Sequence, residues 1–117
     1  MVGQTTRSIF LLAVLVSAAA AQSTLGVVLG TVRDASGAVV SGAKVELTNV
    51  GENVSRETTT NSDGNYEFQN AKPGAYSVKV TQSGFRSFAA KQFPVAARQT
   101  VRVDAALEVG DVAQSVE

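Results

Sequence analysis

The chain contains no cysteine and no histidine among its 117 residues, and only two prolines. These absences exclude disulfides and the Ser–His and Cys–His pairs that activate catalytic nucleophiles. A transition-metal site would have to depend on carboxylates alone, which make a poor zinc cage. Paired carboxylates such as Asp63 and Glu67 flank a turn expected in open solvent, a setting that does not favour acid–base catalysis. We therefore expect no catalytic residue, no cofactor and no enzymatic activity.

The chain also lacks an excess of charge of either sign. Its ten Lys/Arg residues balance its ten Asp/Glu residues, and the two signs are interspersed along the sequence. A domain that binds nucleic acid through phosphate contacts needs clustered cations. A helix that lies on a membrane surface needs a basic face, and none is visible. We therefore expect neither nucleic acid nor a membrane surface as a partner.

Residues 1–21 predict a signal peptide. Arg7 precedes an apolar run that begins at Ile9 and ends in four alanines, which is the charged, apolar, small order of a secretory leader. The run is too short to span a membrane, since a spanning helix needs about 20 apolar residues. A buried N-terminal helix is the alternative. We expect cleavage near Gln22, no membrane span afterwards, and a bacterial protein exported to the periplasm, the outer membrane or the medium.

Alternating polar and apolar residues predict short β-strands in the remainder. Residues 44–49 alternate strictly, with Val45 and Leu47 expected to face the core, and alternation returns clearly over residues 99–108. Turn signals recur every eight to twelve residues, and no segment keeps a helical period over three turns. This spacing is typical of an antiparallel sandwich of about seven strands.

Two β-hairpins are predicted between residues 58 and 81. Asn61-Ser62-Asp63-Gly64 suits a tight reversal, and Pro73-Gly74 has the residue order of a type II turn. The flanking strands place apolar residues at every second position. The residues expected in the core there are Tyr66, Phe68, Tyr76, Val78 and Val80.

Two candidate contact surfaces follow from the same patterns. Residues 54–60 are polar on both faces and predict a sheet edge open to strand addition, with contacts at Arg56, Thr58 and Thr60. The segment from 85 to 93 has no clear period. Its three aromatic residues are candidates for stacking on a glycan or a partner, with core packing as the alternative: Phe85, Phe88 and Phe93.

No metal ligand set is predicted. Aligning Gly64 with the invariant glycine of an EF-hand loop places Thr59 and Asn70 at the first and twelfth ligand positions, where calcium requires a bidentate Glu at the twelfth. A weaker calcium site in a sandwich loop stays open, although turn chemistry explains the same aspartates better. These are Asp34, Asp63 and Asp111.

Three segments together resemble the carboxypeptidase regulatory-like domain family. Residues 30–48, 60–68 and 73–80 contain the pattern G-x-V-x-D…G-A-x-V…T-x-x-D-G-x-Y-x-F…P-G-x-Y. The resemblance covers about residues 25–108. It implies an all-β fold: a seven-stranded, antiparallel, Greek-key β-sandwich of the transthyretin type, placed among the carbohydrate-binding-like folds and preceded here by the signal-peptide helix.

The resemblance also implies a cellular context. In bacteria such domains often follow a signal peptide at the N-terminus of TonB-dependent outer-membrane receptors, and residues 108–117 resemble the junction to the plug domain. The expected organisation is a signal peptide at 1–21, the sandwich at 22–108, and an extended tail or junction at 109–117. The expected function is a non-catalytic envelope module that binds an envelope protein or a neighbouring receptor domain; the alternative is carbohydrate binding.

Overall fold

The computed structural model describes residues 23–110, which form nine β-strands. The predicted signal peptide and residues 111–117 of the predicted tail lie outside these residues. Within 23–110 no helix is long and apolar enough to cross a membrane. The strands are β1 (Gly26–Asp34), β2 (Lys44–Asn49), β3 (Val54–Thr59), β4 (Asn65–Ala71), β5 (Gly74–Thr81), β6 (Phe88–Ala89), β7 (Phe93–Val95), β8 (Thr100–Arg102) and β9 (Ala105–Leu107).

The strands form two sheets, as expected for a sandwich. In the first sheet β1 is central, with β4 on one side and β8 and β9 on the other. In the second sheet the order is β3–β2–β5, and the short strands β6 and β7 both lie along the far side of β5. The all-β prediction is therefore confirmed, whereas the number of strands is nine and not seven.

The core lies between the sheets and follows the predicted alternation. Val45 and Leu47 are buried, and so are the five residues predicted for the strands that follow residue 64. Each fully buried Val or Leu contributes about 1.5–3 kcal/mol relative to an exposed side chain. Residues buried in both sheets include Val28, Val32, Tyr66, Phe68, Tyr76, Val78, Val80, Ala105 and Leu107.

The two predicted hairpins are wrong, because each connection crosses from one sheet to the other. β3 pairs with β2, β4 pairs with β1, and β5 pairs with β2. The first reversal itself forms as predicted: the Asn61 side-chain oxygen accepts the N–H groups of Asp63 and Asn65, and Gly64 has a φ of 77°. Gly74 has a φ of 156°, far from the roughly 80° of a type II turn. Local turn chemistry fixed a reversal but not the pairing of the strands.

The sandwich is also not antiparallel throughout, since β1 runs parallel to β8 and β9. A break of two residues separates β8, which ends at Arg102, from β9, which begins at Ala105. Val27 pairs with Thr100 and Val32 with Ala105, so β1 keeps the same register on both sides of this break. β8 and β9 are therefore two halves of the single strand predicted at 99–108. The segment from 85 to 93, which has no clear period, contains β6 and the beginning of β7. The division of these two regions into two strands each raises the number of strands from the predicted seven to nine.

Candidate functional site

The prediction that the polar segment at 54–60 forms an edge strand is confirmed. This strand is β3, which pairs with β2 on one side and lies at the edge of the second sheet. Arg56 and Thr58 pair with Leu47 and Val45, whose side chains are buried. Because paired residues point to the same face, Arg56 and Thr58 project toward the first sheet. The outward face is formed by Ser55, Glu57 and Thr59.

Arg56 covers the edge of the core. Its guanidinium carbon lies 5.4 Å from the centroid of the Phe68 ring, within range of a cation–π contact. An inward-pointing cation on an edge strand is also a common device against edge-to-edge aggregation. Arg56 therefore places a charge on the inward face of β3, whose backbone is open on one side.

Thr60 does not belong to this edge surface, and its predicted contact role is wrong. It follows the end of β3 and is only 5% exposed. Its hydroxyl donates to the carbonyl of Val40 at 2.7 Å and accepts the N–H of Ala43 at 2.9 Å. The loop that precedes β2 thus uses the buried hydroxyl both as a donor and as an acceptor, so Thr60 is structural.

A cleft of about 170 Å³ lies beside β3, where the two sheets separate. Leu47, Val54 and Tyr76 supply its apolar lining, and Arg56 and Lys72 place cations at its sides. Glu52 also lines the cleft and pairs with Lys72 at 3.5 Å. Val54 is 53% exposed. The cleft therefore offers an accessible apolar wall beside the Arg56 cation.

The three phenylalanines do not form an exposed platform. Phe85, Phe88 and Phe93 are half-buried and pack against the core. Phe88 pairs with Val80 and Phe93 with Tyr76, so both point inward, and the Phe93 and Tyr76 rings stack with centroids 6.5 Å apart. The structure favours the core-packing alternative for these residues.

A polar cluster on the outer face of the first sheet was missed by the sequence pattern. Asp104 accepts the Thr31 N–H at 2.8 Å and forms an ion pair with Arg102 at 3.2 Å. The Arg102 guanidinium donates to the Thr31 hydroxyl at 2.9 Å, and this hydroxyl donates to the Asn65 side-chain oxygen at 2.6 Å. Every member is engaged with another member, so the cluster ties three strands together.

Tyr66 secures the same region from the core side. Its hydroxyl donates to the carbonyl of Val103 at 2.5 Å. Burial, reinforced by the negative charge of Asp104, raises the pKa of Tyr66 above its usual value. At the same place the Thr31 N–H donates to the Asp104 carboxylate, and the backbone ladder is interrupted between β8 and β9.

Asp34, one of the aspartates considered for calcium, has a turn role. Asp34 accepts the Ser36 hydroxyl at 2.6 Å and the N–H groups of Ser36 and Ala38. The hydrogen bond from the Ser36 hydroxyl lowers the pKa of Asp34, with smaller support from the backbone N–H groups. Among residues 23–110 no three His, Cys, Asp or Glu side chains come close enough to hold a metal ion. Asp111 lies outside these residues.

Residues 27–108 match the protein-family model of the carboxypeptidase regulatory-like domain. The chain belongs to this family. No curated protein matches it. The structure explains the residues of the family pattern. Gly30 and Tyr66 both contact the Val103 carbonyl at the β8–β9 break. Thr60 bonds to the loop before β2, and Asp34 and Gly64 form turns. These motif residues of the carboxypeptidase regulatory-like domain are therefore structural.

Solved structures share the fold. The Bacillus anthracis TIE protein has 27% sequence identity and a TM-score of 0.63, with 74% of this chain and 17% of that one covered. Hydroxyquinol 1,2-dioxygenase of Pseudomonas putida has 11% identity and a TM-score of 0.60, covering 76% and 58%. 3-Chlorocatechol 1,2-dioxygenase of Rhodococcus opacus has 10% identity and a TM-score of 0.60, covering 76% and 62%. The chain spans less than two thirds of each, and the dioxygenases bear on the fold alone.

Proposed function

We propose that this chain is an exported, non-catalytic module of the bacterial cell envelope that acts through protein contact. It serves as the N-terminal domain of a TonB-dependent receptor or as a stand-alone relative. The secretory pattern of residues 1–21 and the family membership support this proposal. The absence of histidine and cysteine supports a role without catalysis.

The observation that carries the proposal is the open edge of β3. On an edge strand, alternate residues direct their N–H and C=O groups away from the sheet, where an extended segment can pair with them. β3 has six residues, contains no proline and ends its sheet. The partner surface is therefore the free side of β3, and the binding mode is strand addition.

The cleft beside β3 sets the sequence that an added strand needs. Inward side chains of that strand would continue the row formed by Val54, Arg56 and Thr58. The apolar wall of the cleft favours a Val, Leu or Ile there. The cation of Arg56 favours a neighbouring Asp or Glu, whereas Lys72 is already paired with Glu52. The partner segment is thus extended, with an apolar residue and a carboxylate that face the domain.

Site-specific photo-crosslinking in cells tests this contact. A crosslinker at Ser55 or Thr59, both exposed on β3, should capture an envelope protein or a downstream domain of the same polypeptide. The matched control is Lys79, which is exposed on the interior strand β5. Binding of the captured partner should slow amide hydrogen exchange in β3. Equal capture from Lys79, or unchanged exchange in β3, contradicts strand addition.

A charge placed in the cleft gives an independent test. Val54→Lys puts an ammonium among apolar residues of the cleft, so affinity for the captured partner should fall at least tenfold. Val50→Lys is the control, because Val50 is similarly exposed, at 42%, but lies in the β2–β3 loop. Equal affinities of the two variants would show that the partner does not use the cleft.

The receptor context needs a separate experiment. Sequencing the gene beyond codon 117 and fractionating the cells distinguish a receptor domain from a stand-alone protein. An open reading frame that continues into a plug and a barrel, with the product in the outer membrane, supports the receptor version. A stop after Glu117 restricts the proposal to the stand-alone version.

A further inference from the structure

The backbone of β3 offers bonding groups to a partner at alternate residues only. Both backbone groups of Thr60 point toward the β2 side, because its N–H donates to the Ala43 carbonyl at 2.9 Å and its carbonyl accepts the Gly42 N–H at 3.0 Å. Successive residues of an extended strand direct these groups to opposite sides. The free side of β3 therefore carries the N–H and C=O groups of Ser55, Glu57 and Thr59.

The pairing of β2 with its other neighbour gives the same assignment. The Val50 N–H donates to the Ala75 carbonyl of β5 at 2.9 Å, so every second residue before Val50 also bonds to β5. The remaining residues of β2 bond to β3, and one of them, Leu47, is the partner of Arg56. Arg56 thus uses its backbone groups inside the sheet and presents only its side chain to an added strand.

The edge of the first sheet on the same side of the sandwich is not equivalent. β4 ends that sheet, and its Asn70 lines the cleft beside β3. Asn70 has a φ of 59° where the register of β4 with β1 shifts, which marks a bulge. At the other end of β4, the N–H and C=O groups of Asn65 are bonded to Asn61. β4 therefore offers a partner only the few residues between these points, whereas the pairing of β3 is regular along its length.

Two adjacent charges on β3 select the side chains that can lie opposite. Arg56 points inward, lies opposite Leu47, and has no ion-pair partner within residues 23–110. Glu57 points outward, lies opposite Glu46, and already pairs with Lys44 at 3.1 Å. An acidic side chain is therefore favoured opposite Arg56. Opposite Glu57 it would be the third acid in one row, so a basic side chain is favoured there.

We propose that β3 accepts an antiparallel strand in one register, with an acidic side chain opposite Arg56 and a basic side chain opposite Glu57. This inference rests on the proposed strand addition and names the sequence that the addition requires. The antiparallel direction continues the second sheet, whose strand pairs are all antiparallel. Opposite Thr59 to Val54, the partner then reads x-x-(Lys/Arg)-(Asp/Glu)-x-(Val/Leu/Ile) from its N-terminus.

A second copy of β3 does not satisfy this rule. With all the free backbone groups of both copies in register, Glu57 would face its counterpart in the other copy. A shift of two residues in one direction would place Arg56 opposite its counterpart, and the other shift would place it opposite Thr60, which is buried. Like charges directly opposite each other destabilise a sheet. The charges of β3 thus oppose self-association and leave the edge open to a different strand.

Disulfide capture of short peptides measures this preference. The chain has no cysteine, so Thr58→Cys supplies a single thiol on the inward side of β3. Two peptides of equal composition, Thr-Cys-Lys-Glu-Thr-Leu and Thr-Cys-Glu-Lys-Thr-Leu, place their cysteine opposite this thiol, at a pair whose spacing suits a disulfide. In a glutathione buffer we expect the first peptide to be captured at least about fivefold better at equilibrium.

A change of charge on the protein should change the preference. In the Thr58→Cys protein, Glu57→Lys should make capture of the two peptides equal, because each peptide then has one favourable and one unfavourable charge pair. Arg56→Glu together with Glu57→Lys should invert the preference. Lys91→Glu, in the β6–β7 loop on the far side of β5, is the control and should leave the preference unchanged.

Equal capture of the two peptides by the Thr58→Cys protein overturns the proposed register, and so does a preference that Glu57→Lys leaves intact. Slower amide hydrogen exchange in β3 when the unmodified domain is concentrated also overturns the proposal, since it would show self-pairing. These outcomes leave strand addition itself standing, because crosslinking from Ser55 and Thr59 tests that contact without a chosen peptide sequence. Loss of the crosslink would instead overturn the proposed function.

Discussion

The carbonyl group of Val103 occupies the space that a side chain on Gly30 would need. A Cβ built on Gly30 overlaps this backbone group and comes within 2.8 Å of the Tyr66 ring. Neither neighbour can give way, because the carbonyl accepts the Tyr66 hydroxyl and the Val103 N–H is bonded to Leu29. Gly30 is thus required for close approach between β1 and the β8–β9 break.

Gly30→Ala should therefore destabilise the domain by about 3 kcal/mol, the upper range for overpacking a core. Urea unfolding followed by tyrosine fluorescence measures the change. Gly51→Ala is the control, since a Cβ there meets only the Asn49 side-chain oxygen at 3.7 Å, and it should stay within about 0.5 kcal/mol of wild type. Equal stabilities of the two variants would contradict the close approach.

Tyr66→Phe should cost about 1–2 kcal/mol, because it leaves the Val103 carbonyl without its side-chain donor. The cost should also depend on pH. Burial raises the pKa of Tyr66 in the folded state, while an unfolded tyrosine titrates near pH 10. The contribution of Tyr66 is fully present below pH 10 and is lost as the pH rises toward the higher folded value.

The measurement is urea unfolding of wild type and Tyr66→Phe between pH 7 and pH 11. The stability difference should be constant up to about pH 9 and shrink above pH 10. A difference that stays constant throughout this range would show that the pKa of Tyr66 is not raised by folding.

Thr60→Val should lower the free energy of unfolding by about 2 kcal/mol. Valine has nearly the same shape but leaves the Val40 carbonyl and the Ala43 N–H without their partner. Thr59→Val, on the exposed face of β3, is the matched control and should change stability by less than about 0.5 kcal/mol. Similar effects of the two substitutions in thermal unfolding would contradict a buried structural role for Thr60.

Ser36→Ala should raise the pKa of Asp34 toward its ordinary value. The hydrogen bond from the Ser36 hydroxyl is the main cause of the lowered pKa of Asp34. A carboxyl group with a lowered pKa stabilises the folded state above the pH range near 4 in which the unfolded group titrates. This stabilisation is lost as the pH falls through the pKa of the folded state. Carboxyl chemical shifts recorded by NMR during an acid titration report the change directly. Ser62→Ala is the control, and an unchanged Asp34 midpoint in Ser36→Ala would refute the assignment.

Periodicity predicted which faces of the strands are buried. Val45 and Leu47 alternate with polar residues over a whole strand, so the pattern had enough length to fix the inward face. The polar composition of β3 likewise indicated an edge, since an edge strand buries less of each side chain. These features depend on neighbouring residues in the chain, and sequence patterns report on them well.

Pairing between distant strands could not be predicted in the same way. The turn at Asn61–Asn65 looks like a hairpin because its chemistry is local, yet β4 pairs with β1 and not with β3. The parallel register of β1 with residues 100–107 has no local signal at all. The strands β6 and β7 were left unassigned because two or three residues are too few to display a period. Thr60 was misjudged for a similar reason, since a single residue just beyond a strand carries no period of its own.

The central position of β1 has a consequence for the order of folding. This strand is synthesised before the others in residues 23–110, but its partners are residues 65–71 on one side and 100–107 on the other. Contacts between such distant parts of the chain slow folding to the range of milliseconds to seconds. The sheet around β1 can close only after the ninth strand has left the ribosome.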